Sequence, residues 1–156
     1  MKINKKALII AIAIPLLVGA VSAFISSNSM EQFGQLNKPP LAPPGFLFPI
    51  VWTILYTLMG IASYLVFSSN QKQEDINDAL TVYALQLAVN FFWSIFFFNL
   101  EWYLFSFFWL ILLWVLILYT ILLFYQISKP AAYLMVPYLL WVTFAGYLNL
   151  GIYVLN

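Results

Sequence analysis

Two amide and three aromatic side chains recur at intervals of three or four residues in one part of the chain. Gln86 and Asn90 are the amides, and Tyr83, Trp93 and Phe97 continue the same pattern. At about 100° per residue in a helix, all of them fall on one narrow face. Amides donate and accept hydrogen bonds, and aromatic rings stack on flat molecules. The pattern therefore predicts either the wall of a binding site or polar contacts between neighbouring helices.

A second face of this kind is predicted nearer the end of the chain. Trp141, Ala145 and Leu148 lie at helical spacing, with Tyr138 beside them. Pro137 removes a backbone donor and predicts a kink close to this face. A large ring next to a small residue leaves space for a flat ligand, although the same combination is typical of closely packed helices.

A third candidate surrounds Trp52 and Tyr56, which are four residues apart and share one helical face. Pro44 is suited to the first turn of this helix, and Pro49 adds a second break one turn later. Phe46 lies between the two prolines. Aromatic residues near a helix end contact ligands in some proteins and anchor the helix at the membrane surface in others, so both interpretations stay open.

The composition limits the chemistry that these residues can perform. The chain of 156 residues contains no Cys and no His, which excludes disulfides, thiolate catalysis and histidine acid–base catalysis, and no metal site is expected. A formal net charge of +1 gives no support for nucleic-acid binding. Charged residues make up 7% of the chain, against about 25% in soluble domains, and hydrophobic residues make up 65%. This composition excludes a soluble domain and indicates a membrane protein.

Five uncharged windows of 22 to 33 residues predict five membrane-spanning helices, because a charged side chain at mid-bilayer costs at least about 2.5 kcal/mol. The expected fold is an all-α integral membrane protein, a bundle of five transmembrane helices in one domain over residues 1–156. Residues 28–43 are expected to form a structured outer loop, and Asn77 or Asp78 to cap the third helix. The predicted helices cover residues 7–27, 44–68, 78–98, 102–126 and 130–154.

The lysine positions predict the orientation. If the helices alternate in direction, Lys38 falls on one side of the membrane and the other lysines fall on the opposite side, together with the N-terminus: Lys2, Lys5, Lys6, Lys72 and Lys129. The preference of basic loops for the cytoplasm then predicts a cytoplasmic N-terminus and an extracytoplasmic C-terminus. The expected location is the bacterial plasma membrane. The first window also resembles a signal peptide with a cleavage site near residues 21–23, but its uncharged stretch continues to Met30 and favours a retained helix.

Three segments combine the candidate residues into a longer pattern: LNKPPLAPPGFLFPIVWTILYTLMGIASYL, YALQLAVNFFWSIFFF and PYLLWVTFAGYLNLGIYVLN. They contain PP-x-x-x-F-P-x-V-W-T-x-L-Y, Q-L-x-x-N-x-x-W and P-Y-L-x-W-x-x-F-A, in this order. In this combination the chain resembles the translocator protein family, also called tryptophan-rich sensory proteins or peripheral benzodiazepine receptors.

The resemblance implies a five-helix bundle, commonly a homodimer, with a pocket beneath the first loop. Members of the family bind tetrapyrroles such as protoporphyrin IX and haem as ligands rather than cofactors, and also isoquinoline carboxamide and benzodiazepine-type drugs. The resemblance assigns the ligand contacts to Phe46, Trp52, Asn90, Trp93, Trp141, Ala145 and Leu148. The helical faces add Tyr56, Gln86 and Tyr138 to this predicted ligand-binding set.

Three places depart from the family pattern. Where members commonly have an aromatic pair ahead of the K-P, this chain has Gln32 with Phe33, so the pair is kept only in part. Leu41 stands where members commonly have a Trp two residues before a double proline, which weakens the expectation that the loop stacks on a porphyrin. The cholesterol motif of animal members needs a basic residue after its Tyr near the C-terminus, whereas Tyr153 is followed by Val154, Leu155 and Asn156. Cholesterol binding is therefore not expected, although contact with membrane lipid is.

The expected function is that of a membrane-embedded tetrapyrrole-binding protein that acts as a sensor, regulator or carrier. The main alternative is an enzyme that promotes light- or oxygen-dependent porphyrin breakdown, with Trp52 and Trp141 as its redox groups. No proton-transfer group of suitable pKa lies in any predicted span, which favours the binding protein. A small-molecule transporter ranks below both, because all five acidic residues lie in loops or at helix ends.

Overall fold

The computed structural model describes residues 3–156, and this part of the chain is helical without any strand. Lys2, one of the lysines that predict the orientation, lies outside the described residues. Five long helices are accompanied by one short helix in the first loop, α2, and by a π-helix that continues α4. In chain order the elements are α1 (Lys5–Ser26), α2 (Met30–Gly34), α3 (Leu47–Phe67), α4 (Gln73–Ser94), the π-helix (Ile95–Asn99), α5 (Tyr103–Ile127) and α6 (Lys129–Leu155).

The long helices are α1, α3, α5, α6 and α4 with its π-helix. Each has 21 to 27 residues and is apolar enough to cross a membrane. At about 1.5 Å per residue, even the shortest is about 30 Å long, the thickness of the hydrocarbon core. The prediction of an all-α bundle of five transmembrane helices is confirmed.

The proline-rich segment before α3 forms a turn rather than the first turn of the helix. α3 begins at Leu47, whose N–H donates to the Pro44 carbonyl oxygen at 3.0 Å. Pro49 then lies in the first turn, where its missing N–H breaks no helical hydrogen bond. The predicted start at residue 44 is therefore three residues early.

α4 begins before the position expected from the sequence, at Gln73. Glu74 and Asp75 occupy its first turn, where negative charge is favourable beside the positive end of the helix dipole. The expectation that Asn77 or Asp78 caps this helix is wrong. Charged residues mark the end of the membrane-spanning part, whereas the helix itself continues beyond it.

The two ends of the bundle differ in charge. The Asn4 N–H donates to the Tyr64 hydroxyl oxygen at 2.8 Å, which ties the start of α1 to the end of α3. We call this end the lysine end, and the opposite end, which carries residues 27–46, the loop end. The lysine end holds Lys5, Lys6, Lys72 and Lys129.

The five long helices form a ring in the order α1, α3, α6, α5, α4. Contact is most extensive between α5 and α6, followed by α1 with α3, α4 with α5, and α3 with α6. The contact of α4 with α1 that closes the ring is much smaller. At the loop end this seam is held by the Ser26 and Ser94 hydroxyls, 3.2 Å apart, and by Asn99 Nδ2, which donates to the Ile25 carbonyl oxygen at 3.0 Å.

α1 and α3 approach each other closely at a glycine. A Cβ atom on Gly60 would lie 2.5 Å from Ile12 Cα and 2.7 Å from the Ala11 carbonyl oxygen. Pro15, inside α1, lacks the N–H that would otherwise bond to this carbonyl. Glycine on α3 therefore allows the two backbones to meet where α1 has lost a hydrogen bond.

The half of the bundle at the lysine end is tightly filled. Val66, Phe124 and Met135, from three different helices, have no exposed surface there. Towards the loop end the helices no longer fill the space between them. The fold thus positions a cavity at one end of the bundle above a solid core at the other.

Candidate functional site

A cavity of about 630 Å³ lies at the loop end, between α1, α3, α4 and α6. The first loop contributes Met30 and Phe33 to its wall, and no residue of α5 lines it. The wall combines small side chains from α1 with aromatic and amide side chains from the other three helices.

Seven of the ten predicted ligand contacts line this cavity, and they come from α3, α4 and α6. The other three lie elsewhere: Phe46 is 70% exposed at the start of α3, whereas Gln86 and Tyr138 are buried behind the wall. The structure therefore brings together Trp52, Tyr56, Asn90, Trp93, Trp141, Ala145 and Leu148.

A chain of hydrogen bonds runs from the wall into the bundle. The Tyr56 hydroxyl donates to Asn90 Oδ1 at 2.9 Å, and Asn90 Nδ2 donates to the Tyr138 hydroxyl oxygen at 2.7 Å. Tyr138 in turn donates to Gln86 Oε1 at 2.7 Å, and Gln86 Nε2 lies 4.0 Å from the Met59 sulfur. All five side chains are buried. Gln86 and Tyr138 thus hold a wall residue in place from behind.

A second chain fixes the indole of Trp93. Its Nε1–H donates to Asn149 Oδ1 at 3.1 Å, and Asn149 Nδ2 donates to the Tyr103 carbonyl oxygen at 2.8 Å. The same indole stacks on Phe97, with ring centroids 5.0 Å apart and an interplanar angle of 16°. These contacts leave the ring with one orientation in the wall.

Aromatic rings from the first loop and from α3 close the cavity at the loop end. Phe33 contacts Phe48 and Phe97 edge to face, at centroid distances of 6.2 and 5.8 Å. Phe48 contacts Trp141 in the same way at 5.9 Å. The roof of the cavity is therefore a continuous set of rings that joins the loop to α6.

The first loop is fastened to the loop end of α6. The Asn37 N–H donates to Asn156 Oδ1 at 3.2 Å, and Asn156 Nδ2 donates back to the Asn37 carbonyl oxygen at 2.8 Å. Pro39 packs on Gly151 so closely that a Cβ atom there would lie 2.6 Å from Pro39 Cγ. We call these two contacts the loop clasp.

Leu41, at the position where the family commonly has a Trp, lies beyond this clasp. It is 84% exposed, does not line the cavity, and has a φ of 72°, in the left-handed region that non-glycine residues rarely adopt. The preceding Pro40 carbonyl oxygen accepts a hydrogen bond from the Tyr147 hydroxyl at 2.6 Å. Phe33, rather than position 41, supplies the aromatic contact between the loop and the cavity.

The wall formed by α1 is not predicted by the sequence analysis. Gly19, Ser22, Ala23 and Ser26 line the cavity. They recur at intervals of three or four residues, the spacing of one helical face, and this recurrence of small residues is the signal that identifies them. A Cβ atom on Gly19 would collide with the Tyr56 ring, so glycine is what gives this ring its space.

The cavity offers ring faces and a few hydrogen-bonding groups. Within residues 3–156, no acidic or basic side chain lines it, and no cluster of metal-ligating side chains occurs. The indole N–H groups of Trp93, Trp109 and Trp114 donate to protein acceptors. Those of Trp52 and Trp141, two residues that line the cavity, have no partner in the described part of the chain. This arrangement suits a flat, mostly apolar molecule.

Comparison with known proteins supports the fold and the resemblance. The sequence model of the TspO/MBR family matches residues 11–155. The tryptophan-rich protein TspO of Chlorobaculum tepidum is 40% identical over 156 residues, which cover 98% of this chain and 99% of the relative. The protein of the same name from Archaeoglobus fulgidus is 36% identical over 96% of both chains.

An animal protein shows the same similarity. The translocator protein of Bos taurus is 33% identical over 87% of this chain and 82% of its own length. The resemblance found in the three sequence blocks is confirmed by these matches, which extend over nearly the whole chain. The chain belongs to the TspO/MBR family of membrane sensory and translocator proteins.

Proposed function

We propose that this protein binds tetrapyrroles such as protoporphyrin IX and haem in the cavity at the loop end, and acts as their sensor, regulator or carrier in the membrane. The observation that carries the proposal is the convergence of Trp52, Trp93 and Trp141 on one cavity wall. Family membership supports the same conclusion. Isoquinoline carboxamide and benzodiazepine-type molecules are expected to occupy the same space.

The size and shape of the cavity support a flat ligand. Its volume of about 630 Å³ lies inside the range of about 300 to 1,000 Å³ that is usual for small-molecule sites. The lining combines small side chains of α1 with large rings on α3, α4 and α6. Aromatic rings offer stacking surfaces to a planar macrocycle, and small side chains leave room beside them.

The polar groups of the site support binding rather than acid–base catalysis. The lining residues of the described chain supply amide, hydroxyl and indole groups, which hydrogen-bond to a ligand but exchange protons poorly near neutral pH. Among the candidate functions, we therefore rank an enzyme that promotes porphyrin breakdown below the binding protein, and a small-molecule transporter below both.

The proposed location of the protein in the cell and its proposed orientation in the membrane follow from its lysines and its family. We infer an integral protein of the bacterial plasma membrane, with its lysine end in the cytoplasm and its loop end outside. A homodimer surrounded by membrane lipid is expected, because the family commonly forms one.

Titration of protoporphyrin IX into the purified protein in detergent tests the proposal. Binding is expected to quench tryptophan fluorescence, because three indoles line the cavity. Trp141→Ala is expected to weaken binding by about 1 to 3 kcal/mol, the scale of a lost aromatic contact in a buried site.

Trp102→Ala provides the matched control, because Trp102 is 51% exposed and does not line the cavity. Its titration curve should follow that of the unsubstituted protein. If a folded Trp141→Ala variant binds protoporphyrin IX with unchanged affinity, the ligand is not held in this cavity.

A further inference from the structure

We propose that the floor of the cavity recognises a hydrogen-bond donor of the ligand, and that Gln86 is the positioning residue that fixes this preference. The floor is the part of the wall nearest the lysine end, where Tyr56 and Asn90 line the cavity. The inference rests on the proposed function only in treating the cavity as a ligand site. It specifies which polar group of the ligand the floor accepts.

The direction of the buried hydrogen-bond chain follows from the orientation of the Gln86 amide at its inner end. The Met59 sulfur is a thioether, which has no proton and can only accept. Gln86 Nε2 is the atom that faces it, at 4.0 Å. In the reverse orientation, the amide oxygen would lie against the sulfur. Both atoms are acceptors, so no hydrogen bond could form between them. Gln86 Oε1 therefore faces Tyr138.

Each later link follows from this orientation. Because Gln86 Oε1 can only accept, Tyr138 gives its single proton to Gln86. The Tyr138 oxygen then accepts from Asn90 Nδ2. Asn90 Oδ1 consequently faces Tyr56, which must give its own proton to Asn90. Tyr56, a residue of the floor, therefore has its hydroxyl proton already used and offers only lone pairs.

The Tyr56 ring is held so that its hydroxyl keeps this position. Trp52 stacks on one side, with ring centroids 5.3 Å apart and an interplanar angle of 28°. Gly19 of α1 packs against the ring so closely that a Cβ atom there would collide with it. A ligand acceptor therefore finds no proton to bind at the Tyr56 oxygen, whereas an N–H or O–H group finds a fixed acceptor.

Two other polar side chains of the wall also give their protons to protein acceptors. Trp93 donates its N–H to Asn149, and the Thr53 hydroxyl donates to the Pro49 carbonyl oxygen. Within residues 3–156, the N–H groups of Trp52 and Trp141 have no protein acceptor. The preferred ligand is thus a flat, mostly apolar molecule that presents an N–H or O–H group to the floor.

Three aromatic compounds of nearly equal size and shape test this inference. Carbazole carries an N–H donor, fluorene carries no hydrogen-bonding group, and fluorenone carries a carbonyl acceptor. Binding of each to the purified full-length protein in detergent is measured by equilibrium dialysis. The ratio of carbazole to fluorene affinity reports the preference for a donor, and is expected to be about 5 for one net hydrogen bond.

Gln86→Leu is the decisive variant. Without the amide, Tyr138 can give its proton to Asn90, which then donates to the Tyr56 oxygen and frees the Tyr56 proton for the cavity. The ratio of carbazole to fluorene affinity is expected to fall to about 1, and the ratio of fluorenone to fluorene affinity to rise about 5-fold. If Gln86 had only a structural role, its replacement would not convert a preference for a hydrogen-bond donor into a preference for an acceptor.

Two further variants separate the roles. Tyr56→Phe removes the acceptor oxygen, so it should abolish the carbazole preference without any gain for fluorenone, and it tests the floor should Gln86→Leu not fold. Gln126→Leu replaces an exposed glutamine of α5 and should leave both ratios unchanged.

Each outcome decides the inference. It is overturned if the unsubstituted protein does not bind carbazole more tightly than fluorene, or if Tyr56→Phe keeps the preference. Loss of the carbazole preference in Gln86→Leu without a fluorenone gain overturns the positioning role of Gln86. If protoporphyrin IX does not bind while the preference reverses as described, the proposed function fails and this inference stands. If protoporphyrin IX binds but the unsubstituted protein shows no preference for carbazole over fluorene, this inference fails and the proposed function stands.

Discussion

Lys38 lies beside the roof of the cavity. Its Nζ atom is 5.1 Å from the ring centroid of Phe33, which lines the cavity under the first loop. Lys129 makes the same type of contact with Tyr125, at 5.6 Å, at the lysine end. Each of the two lysines thus makes a cation–π contact of its own, but only Lys38 lies near the cavity.

This difference predicts a selective effect on protoporphyrin IX, which carries two propionate groups. Lys38→Gln is expected to weaken its binding about 2- to 5-fold at low ionic strength, and less at high salt, because an exposed ion pair is screened. Lys129→Gln should not change the affinity. Fluorescence titrations at two salt concentrations measure both. Equal affinities of the two variants would show that the propionates do not approach the loop.

At the residue scale, the sequence predicts seven wall residues but does not separate Asn90 from Gln86. The two amides are one helical turn apart on the same face of α4. That face passes from the filled half of the bundle to the cavity, so Gln86 is buried among protein groups and Asn90 lines the cavity. Periodicity predicts the direction in which a side chain points around the helix axis. It does not predict where, along that axis, the filled half of the bundle ends and the cavity begins.

Among the elements, the backbones of α1 and α3 depend on Gly60 for their close approach. Gly60→Ala places a methyl group against the backbone of α1, which cannot move as a flexible side chain can. The free energy of unfolding is expected to fall by about 1 to 3 kcal/mol. Thermal unfolding in detergent measures this change.

Gly146→Ala is the matched control for this substitution. Its added Cβ atom would meet only Leu110 Cδ2, at an ordinary 3.7 Å. Alanine is the better helix former, so stability should stay the same or rise by up to about 1 kcal/mol. Equal destabilisation by the two substitutions would contradict the close backbone contact at Gly60.

The loop clasp makes a second prediction at this scale. Asn156→Ala removes the acceptor of the Asn37 N–H and the donor to its carbonyl oxygen. Hydrogen exchange at the Asn37 amide is expected to accelerate about 5-fold or more, because local opening becomes easier. Amides in the middle of α3 serve as the internal control. Unchanged exchange at Asn37 would show that the clasp does not limit loop opening.

The sequence identifies the elements better than their faces. Windows without charge locate all five spans, since the cost of burying a charge is large. The same criterion says nothing about which side of α1 meets the cavity, because Gly19, Ala23 and their neighbours differ little in polarity. The role of α1 as a wall follows from the ring of helices, which depends on packing between distant parts of the chain.

For the whole molecule, the arrangement of lysines predicts how it lies in the membrane. The chain contains no cysteine, so a single introduced one reports its own side. Gln35→Cys, in the exposed first loop, should react with a membrane-impermeant thiol reagent in intact cells. Asn70→Cys, exposed between α3 and α4, should react only after the cells are opened. The opposite pattern of labelling would reverse the proposed orientation.

At this scale, the number of helices and their membrane character are predictable from composition, and their order around the ring is not. Neighbours in the chain need not be neighbours in the ring: α3 and α4 are joined by five residues, 68–72, yet α3 packs mainly on α1 and α6. The candidate site depends on this order, because its walls come from helices that are separated in the chain.

The ring order also has a consequence for biosynthesis. α6 is the last of these helices to leave the ribosome, and in the finished bundle it lies between α3 and α5. Until α6 is in place, the site lacks the wall that carries Trp141, Ala145 and Leu148, and its roof lacks the partner of Phe48. A nascent chain without α6 therefore has no finished cavity, and any ligand of the cavity would find its full set of contacts only after α6 has inserted.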